Sequence, residues 1–274
     1  MSTPYTYDKL DQESVTSHLF QPPVASTSKP DNCQDILIDT ADGATVHLRA
    51  FGSDLKDKPV ILLFHDGSEQ VSDYTDIVAL YIKNLGTSCL IAEYRGYGLA
   101  SGTPSATTML ADSKLIFHKA LEWKKANGYS GKMVCMGVGL GCTSAIEVVH
   151  NHPDQTDALM IDSGFTFTLP VLKAMGVDVA GLAIREEDCF HNLEKIREIN
   201  KPLYVIHMGK DDFIPMDNPS NLVSESKGQQ KEFQIVPGKA DGSILDTTGN
   251  MYFEVMGRFV KNIGIVRKKK VGVR

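Results

Sequence analysis

Residues 132–149, KMVCMGVGLGCTSAIEVV, run from an apolar stretch through a glycine-spaced turn into a helix-compatible segment. A strand, a sharp elbow and a helix, in that order, can hold a side chain clear of the backbone for nucleophilic attack. That chemistry asks for a serine at the middle of the turn, a histidine to remove its proton, and a carboxylate to orient the imidazole. The middle of Gly137-Val138-Gly139-Leu140-Gly141 is glycine. The elbow is drawn, and its nucleophile is missing. Two further groups end apolar runs and could face the same place: His65-Asp66-Gly67 in KPVILLFHDG, and Asp211 with its neighbour Asp212 after KPLYVIHMG.

The elements that would position these groups can be read from hydrophobic periodicity. QDILIDT and ATVHLRAFG alternate about the turn ADG, which predicts a β-hairpin. From KPVILLF onward, continuous apolar runs (TSCLIAEY, KMVCMG, DALMIDSG, KPLYVIHMG, KEFQIVPG) alternate with helical segments such as SDYTDIVALYIKNLG and SATTMLADSKLIFHKALEWKKANG. Strands apolar on both faces and separated by helices predict an α/β fold, a mostly parallel central sheet with helices on both faces. In such a sheet the site lies at the carboxyl ends of the strands. Residues 163–190, between two clear strands, are expected to form either a lid over those ends or a displaced scaffold helix.

Length and composition set the frame. The 274 residues, 42% hydrophobic and 23% charged, suit one soluble domain, placed at 34–266. Residues 1–33, rich in Ser, Thr, Pro and Gln without a sustained period, read as a mostly loose N-terminal arm that docks locally. Residues 267–274 form a basic C-terminal tail, read as a solvated end. The formal net charge of −6 argues against nucleic-acid binding. No apolar run reaches the ~20 residues of a transmembrane helix, and the N-terminus has neither the basic nor the apolar part of a secretory signal, so a cytoplasmic protein is expected. Five cysteines at wide, odd spacing, with no C-x-x-C pair, predict free thiols.

Taken together, LLFHDG, AEYRGYGLASGTPS, MGVGLG and IHMGKDDFIP, in that order over residues 35–263, resemble the α/β-hydrolase superfamily. Within it, the likeness is to the branch of small single-domain serine hydrolases that holds α/β-hydrolase-domain-containing and serine-aminopeptidase-like proteins. The resemblance implies the α/β-hydrolase fold, a catalytic triad at positions 139, 211 and 241, and an oxyanion region built from His65, Asp66, Gly67, Val138 and Leu140. The triad is degenerate. Asp211 keeps the acid, Gly139 replaces the serine, and in VPGKADGS Asp241 stands where the family has its histidine. None of the eight histidines (His18, His47, His65, His118, His150, His152, His191, His207) follows Asp211, so the base is missing in chain order as well. Asp66 also puts an acid beside donors meant for an anion.

Substitute nucleophiles are few. Cys142 opens the helix after the elbow, where the dipole lowers a thiol pKa, but three residues of helix aim it away; its plain reading is a packing thiol. Ser101, in LASGTPS, reads as a turn-former. His65 and His207 lack metal-ligand spacing such as H-x-H or H-E-x-x-H, so neither metal nor cofactor is expected. The function expected is therefore a pseudoenzyme that keeps a pocket for a small-molecule or peptide ligand, carboxylate or cationic, or for a protein partner. The alternative is an ester, amide or thioester hydrolase with a non-standard nucleophile.

Overall fold

The computed structural model describes residues 5–26, 28–239 and 243–265. Eight strands form one sheet in the order β1-β2-β4-β3-β5-β6-β7-β8. The first two, β1 (Gln34–Asp39) and β2 (Thr45–Phe51), are the expected hairpin, and β2 is antiparallel to β4 (Ser88–Glu93). The others are parallel: β3 (Val60–Phe64), β4, β5 (Met133–Val138), β6 (Ala158–Asp162), β7 (Leu203–Lys210) and β8 (Lys231–Lys239).

Successive side chains of a strand face opposite ways, so an all-apolar strand must be covered twice. Val60, Leu62 and Phe64 enter one core while Ile61 and Leu63 enter the other, and Met133 and Cys135 divide from Val134 and Met136 in the same way. The first core is closed by α3 (Ala106–Ala126), α4 (Gly141–Asn151), α5 (Thr168–Ala174), α6 (Asn192–Ile196) and α7 (Asp217–Glu225). The second is closed by α2 (Thr75–Leu85) and α9 (Asn250–Asn262), with Ile244 of the short α8 (Ile244–Thr248). Helix α3 starts where Ser105 Oγ accepts the Thr108 N–H at 3.2 Å, an N-cap supplied by the sequence PSATT. The fold is that of an α/β hydrolase.

One expectation needs correction. The N-terminal segment is not mostly loose: α1 (Glu13–Leu19) lies within it, and Tyr7, Leu10, Val15, Leu19 and Phe20 are all buried in the first core. Apolar residues at 15 and 19, one helical turn apart, supply a single buried stripe too short to register as a period. Polar contacts fasten it further. Lys9 Nζ donates to Leu182 O (3.3 Å), Asp11 Oδ1 accepts the Thr107 N–H (3.1 Å) and Lys195 Nζ donates to the Tyr7 hydroxyl (3.2 Å). The basic tail at 267–274 lies outside the described residues. No helix among those described is long and apolar enough to cross a membrane.

Candidate functional site

The carboxyl ends of the parallel strands open onto a cleft of about 570 Å³. Four segments make its polar side: the turn after β3 (Asp66, Gly67, Ser68, Glu69), the elbow after β5 (Val138, Gly139, Leu140), the end of β6 (Asp162, Ser163) and the loop after β7 (Asp211). Residues of 163–190, among them Phe165, Val171 and Met175, line it with apolar side chains, and His18, Leu19 and Gln21 of the N-terminal segment line it as well. Residues of 163–190 thus stand against the strand ends as part of the cleft lining.

Gly139 sits at the elbow with φ +51°, in the left-handed region that disfavours any other residue. A Cβ placed there would come 2.1 Å from Asp66 Oδ1. That oxygen is not idle: it accepts the N–H of Leu140 at 2.8 Å, while Asp66 Oδ2 accepts the Ser68 hydroxyl at 2.9 Å. Glu69 braces the turn from behind, its Oε2 taking the Asp66 N–H (3.0 Å) and the Tyr74 hydroxyl (2.6 Å). A carboxylate at the start of α4 satisfies one of the helix's free N–H groups and the positive end of its dipole. The donor that the elbow would offer to an incoming anion is filled by the chain's own side chain.

Gly67 is needed for a different reason. A Cβ there would lie 1.9 Å from Leu19 O, and Gly67 O accepts both the Tyr97 hydroxyl (2.6 Å) and the Gln21 N–H (2.8 Å). The turn is therefore clamped between the N-terminal segment and the Tyr94–Gly98 loop. That loop is fixed in turn by Arg95, which donates to Asp112 (2.6 and 2.9 Å) and to Asp42 (2.6 Å).

Asp211 lines the cleft. Its Oδ1 accepts the N–H groups of Phe213 (2.8 Å) and Ile214 (2.9 Å), so the carboxylate shapes its own loop. Asp212 is turned to solvent and pairs with Lys239 at 2.8 Å. His207 is fully buried; its Nε2 is 3.1 Å from Ile214 O and 3.9 Å from Asp211 Oδ2, and burial lowers its pKa.

The remaining sequence candidates lie elsewhere. His65 is buried, its Nε2 2.9 Å from Glu93 Oε1 and its Nδ1 2.7 Å from Asp66 O. Burial opposes its charged form, but the Glu93 carboxylate outweighs this and raises its pKa. It supports the turn without lining the cleft. Cys142 is buried beneath the elbow and burial pushes its thiol up to about 12, which removes the thiolate at neutral pH. Ser101 lies outside the cleft, where its Oγ accepts the Thr45 N–H (2.8 Å). Asp241 falls outside the described residues.

Sequence reasoning overlooked Asp162, the last residue of β6. It is buried at the cleft floor, where Oδ2 accepts the Tyr252 hydroxyl (2.8 Å) and Oδ1 the Ser163 hydroxyl (2.9 Å). Burial pushes its carboxyl up to about 6, against the lowering effect of both hydroxyls. The signal was available: an acid at the carboxyl end of a central parallel strand, in DALMIDSG, stands where such sheets place their sites. No group of three or more His, Cys, Asp or Glu among the described residues is arranged to hold a metal ion.

No protein-family model matches the chain. It is 26% identical to the Mycobacterium tuberculosis uncharacterized protein Rv2307c over 252 residues, covering 89% of this chain and 84% of that one. It is 21% identical to the Arabidopsis thaliana α/β hydrolase domain-containing protein WAV2, covering 86% of this chain and 81% of the relative. Among solved structures, the Pyrococcus furiosus esterase Pf2001 superposes with a TM-score of 0.69 at 17% identity, over 89% of this chain and 99% of the esterase. The chain has the α/β-hydrolase fold and resembles proteins of that superfamily. Within that superfamily's fold, the elbow after β5 and the acid loop after β7 border one cleft here, with glycine at the first and Asp211 at the second.

Proposed function

We propose that this α/β-hydrolase-fold protein is catalytically inactive and keeps its cleft to bind a ligand. The observation that supports the reading is the elbow itself: Asp66 Oδ1 holds the Leu140 N–H at 2.8 Å, beside a residue with no side chain. An acyl-transfer site needs that donor free for the oxyanion, which is worth on the order of 3 kcal/mol per hydrogen bond in the transition state. The two differences are coupled. Serine at 139 would drive its Cβ into Asp66, and Asp66 can take its place only because 139 is glycine.

Labelling of the purified chain with a fluorophosphonate, and a p-nitrophenyl acyl-ester assay, test the proposal. Silence is expected from the parent chain, with labelling returning in Gly139→Ser/Asp66→Gly/Asp241→His. Turnover by the parent at the rate of an intact serine hydrolase would overturn it.

One observation favours the alternative, an ester, amide or thioester hydrolase with a non-standard nucleophile. Ser163 lines the cleft with φ +54°, and its hydroxyl donates to Asp162, a carboxylate poised near neutral pH. If the parent turns over esters, Ser163→Ala should abolish it under this second reading.

A further inference from the structure

We infer that the ligand of the cleft is an organic cation with an apolar body, an ammonium or guanidinium group carried on an alkyl or aryl moiety. The inference rests on the reading of the cleft as a binding site and names what it binds. The sequence left carboxylate and cation open; three features of the cleft decide between them.

First, the polar side carries Asp66, Glu69, Asp162 and Asp211, and no Lys or Arg is among the described residues that line it. None of the four pairs with a lysine or arginine among the described residues; the buried His207, 3.9 Å from Asp211, is pushed toward its neutral form by burial, and His18, which lines the cleft, pairs with none of them. Elsewhere this chain pairs its acids with cations: buried Glu147 meets Lys195 and Lys114, buried Asp112 meets Arg95, and half-buried Asp35 meets Arg49. Carboxylates gathered in a partly desolvated cleft without a countercharge repel one another and favour a cation that enters. Second, the start of α4, which would attract an anion, is closed by Asp66 on the Leu140 N–H. Third, much of the remaining lining is apolar: Leu19, Phe165, Val171, Met175, Phe213 and Ile214. The four acids are spread over three strand ends and do not gather as a metal ion requires. A volume of about 570 Å³ accepts a small organic molecule.

The test is calorimetric titration of the full chain with n-octylammonium and, separately, with octanoate, two probes of one length and opposite charge. The titration is run at about pH 8, where Asp162, pushed up to about 6, is ionised. Saturable binding of octylammonium is expected, at least about tenfold tighter than octanoate and several-fold weaker at high salt. Asp162→Asn and Asp211→Asn should each weaken it about fivefold or more, with circular dichroism unchanged. Octanoate binding as tightly as the amine would overturn the inference, as would binding of neither probe or amine binding untouched by both variants. Ester turnover by the parent would sink the inactive reading instead, and leaves the preference for cations to be judged by the titrations.

Discussion

At the scale of single residues, the glycine at the elbow and the acid behind it form one unit. Gly139→Ser alone must abandon either the left-handed backbone or the Asp66–Leu140 hydrogen bond, because Cβ and Asp66 Oδ1 cannot both stay 2.1 Å apart. The expected cost is about 2 to 3 kcal/mol in urea denaturation, combining backbone strain with a displaced carboxylate. Adding Asp66→Gly should return part of it; a serine variant as stable as the parent would show that the elbow is misplaced. Asp162 gives a second prediction, with a defined sign. Its folded pKa lies above the ordinary 3.8, at about 6, so its contribution to stability is fully present below about pH 4 and is lost as pH rises through 6. The shift corresponds to at most about 3 kcal/mol. Asp162→Asn should therefore raise the melting temperature at pH 8 and leave it nearly unchanged at pH 4, by scanning calorimetry; an equal shift at both values would refute the assignment.

At the scale of elements, the layer formed by α3, α4 and α6 is tied to the N-terminal segment through one buried ion pair. Lys195 of α6 is 1% exposed and donates to Glu147 of α4 (2.8 Å), to Phe190 O (2.8 Å) and to the Tyr7 hydroxyl (3.2 Å), while Lys114 of α3 reaches the other oxygen of Glu147 (3.0 Å). Burial works against the lysine's charge and lowers its pKa, and Glu147 holds it in place. Glu147→Gln leaves an unpaired buried ammonium and should cost about 3 to 5 kcal/mol, whereas Glu147→Leu/Lys195→Met should recover most of that loss. Trp123, the chain's single tryptophan, is stacked on Tyr129 at 4.9 Å and reports both unfolding curves by fluorescence. A double variant no more stable than Glu147→Gln would mean that packing, not charge, sets the cost. The N-terminal segment matters to the cleft as well as to stability, since Leu19 O seals Gly67 and His18, Leu19 and Gln21 line the cleft.

At the scale of the whole molecule, two apolar cores sandwich one sheet, and the thiols report how tightly they are closed. Cys89, Cys135, Cys142 and Cys189 are buried and unpaired, and Cys33 is half-buried. Burial pushes the thiols of Cys89, Cys142 and Cys189 up to about 12. A thiol reagent should modify at most Cys33 rapidly in the native protein and all five cysteines after denaturation. Rapid native reaction of Cys142 would show an elbow open to solvent, and would revive it as a nucleophile.

Much of this protein was determined by local rules that the sequence states outright. Continuous apolar runs separated by helical periods require a doubly covered parallel sheet, because a strand apolar on both faces has no other way to leave water. Glycine at 139 and the absence of any histidine beyond Asp211 are facts of chain order. What sequence could not give was direction and company. Whether Asp66 pointed outward or onto the Leu140 N–H, whether His65 met the cleft or Glu93, and whether Asp162 belonged to the site all depend on which segments the folded sheet brings side by side. The docking of residues 7–20 was equally hidden, since one buried stripe of a short helix has no period and gains its stability only from the surface it covers. Periodicity and turn chemistry act between neighbours in sequence; hydrogen-bond partners and charge in a cleft are set by contacts between residues dozens of positions apart, and only the tertiary structure decided them.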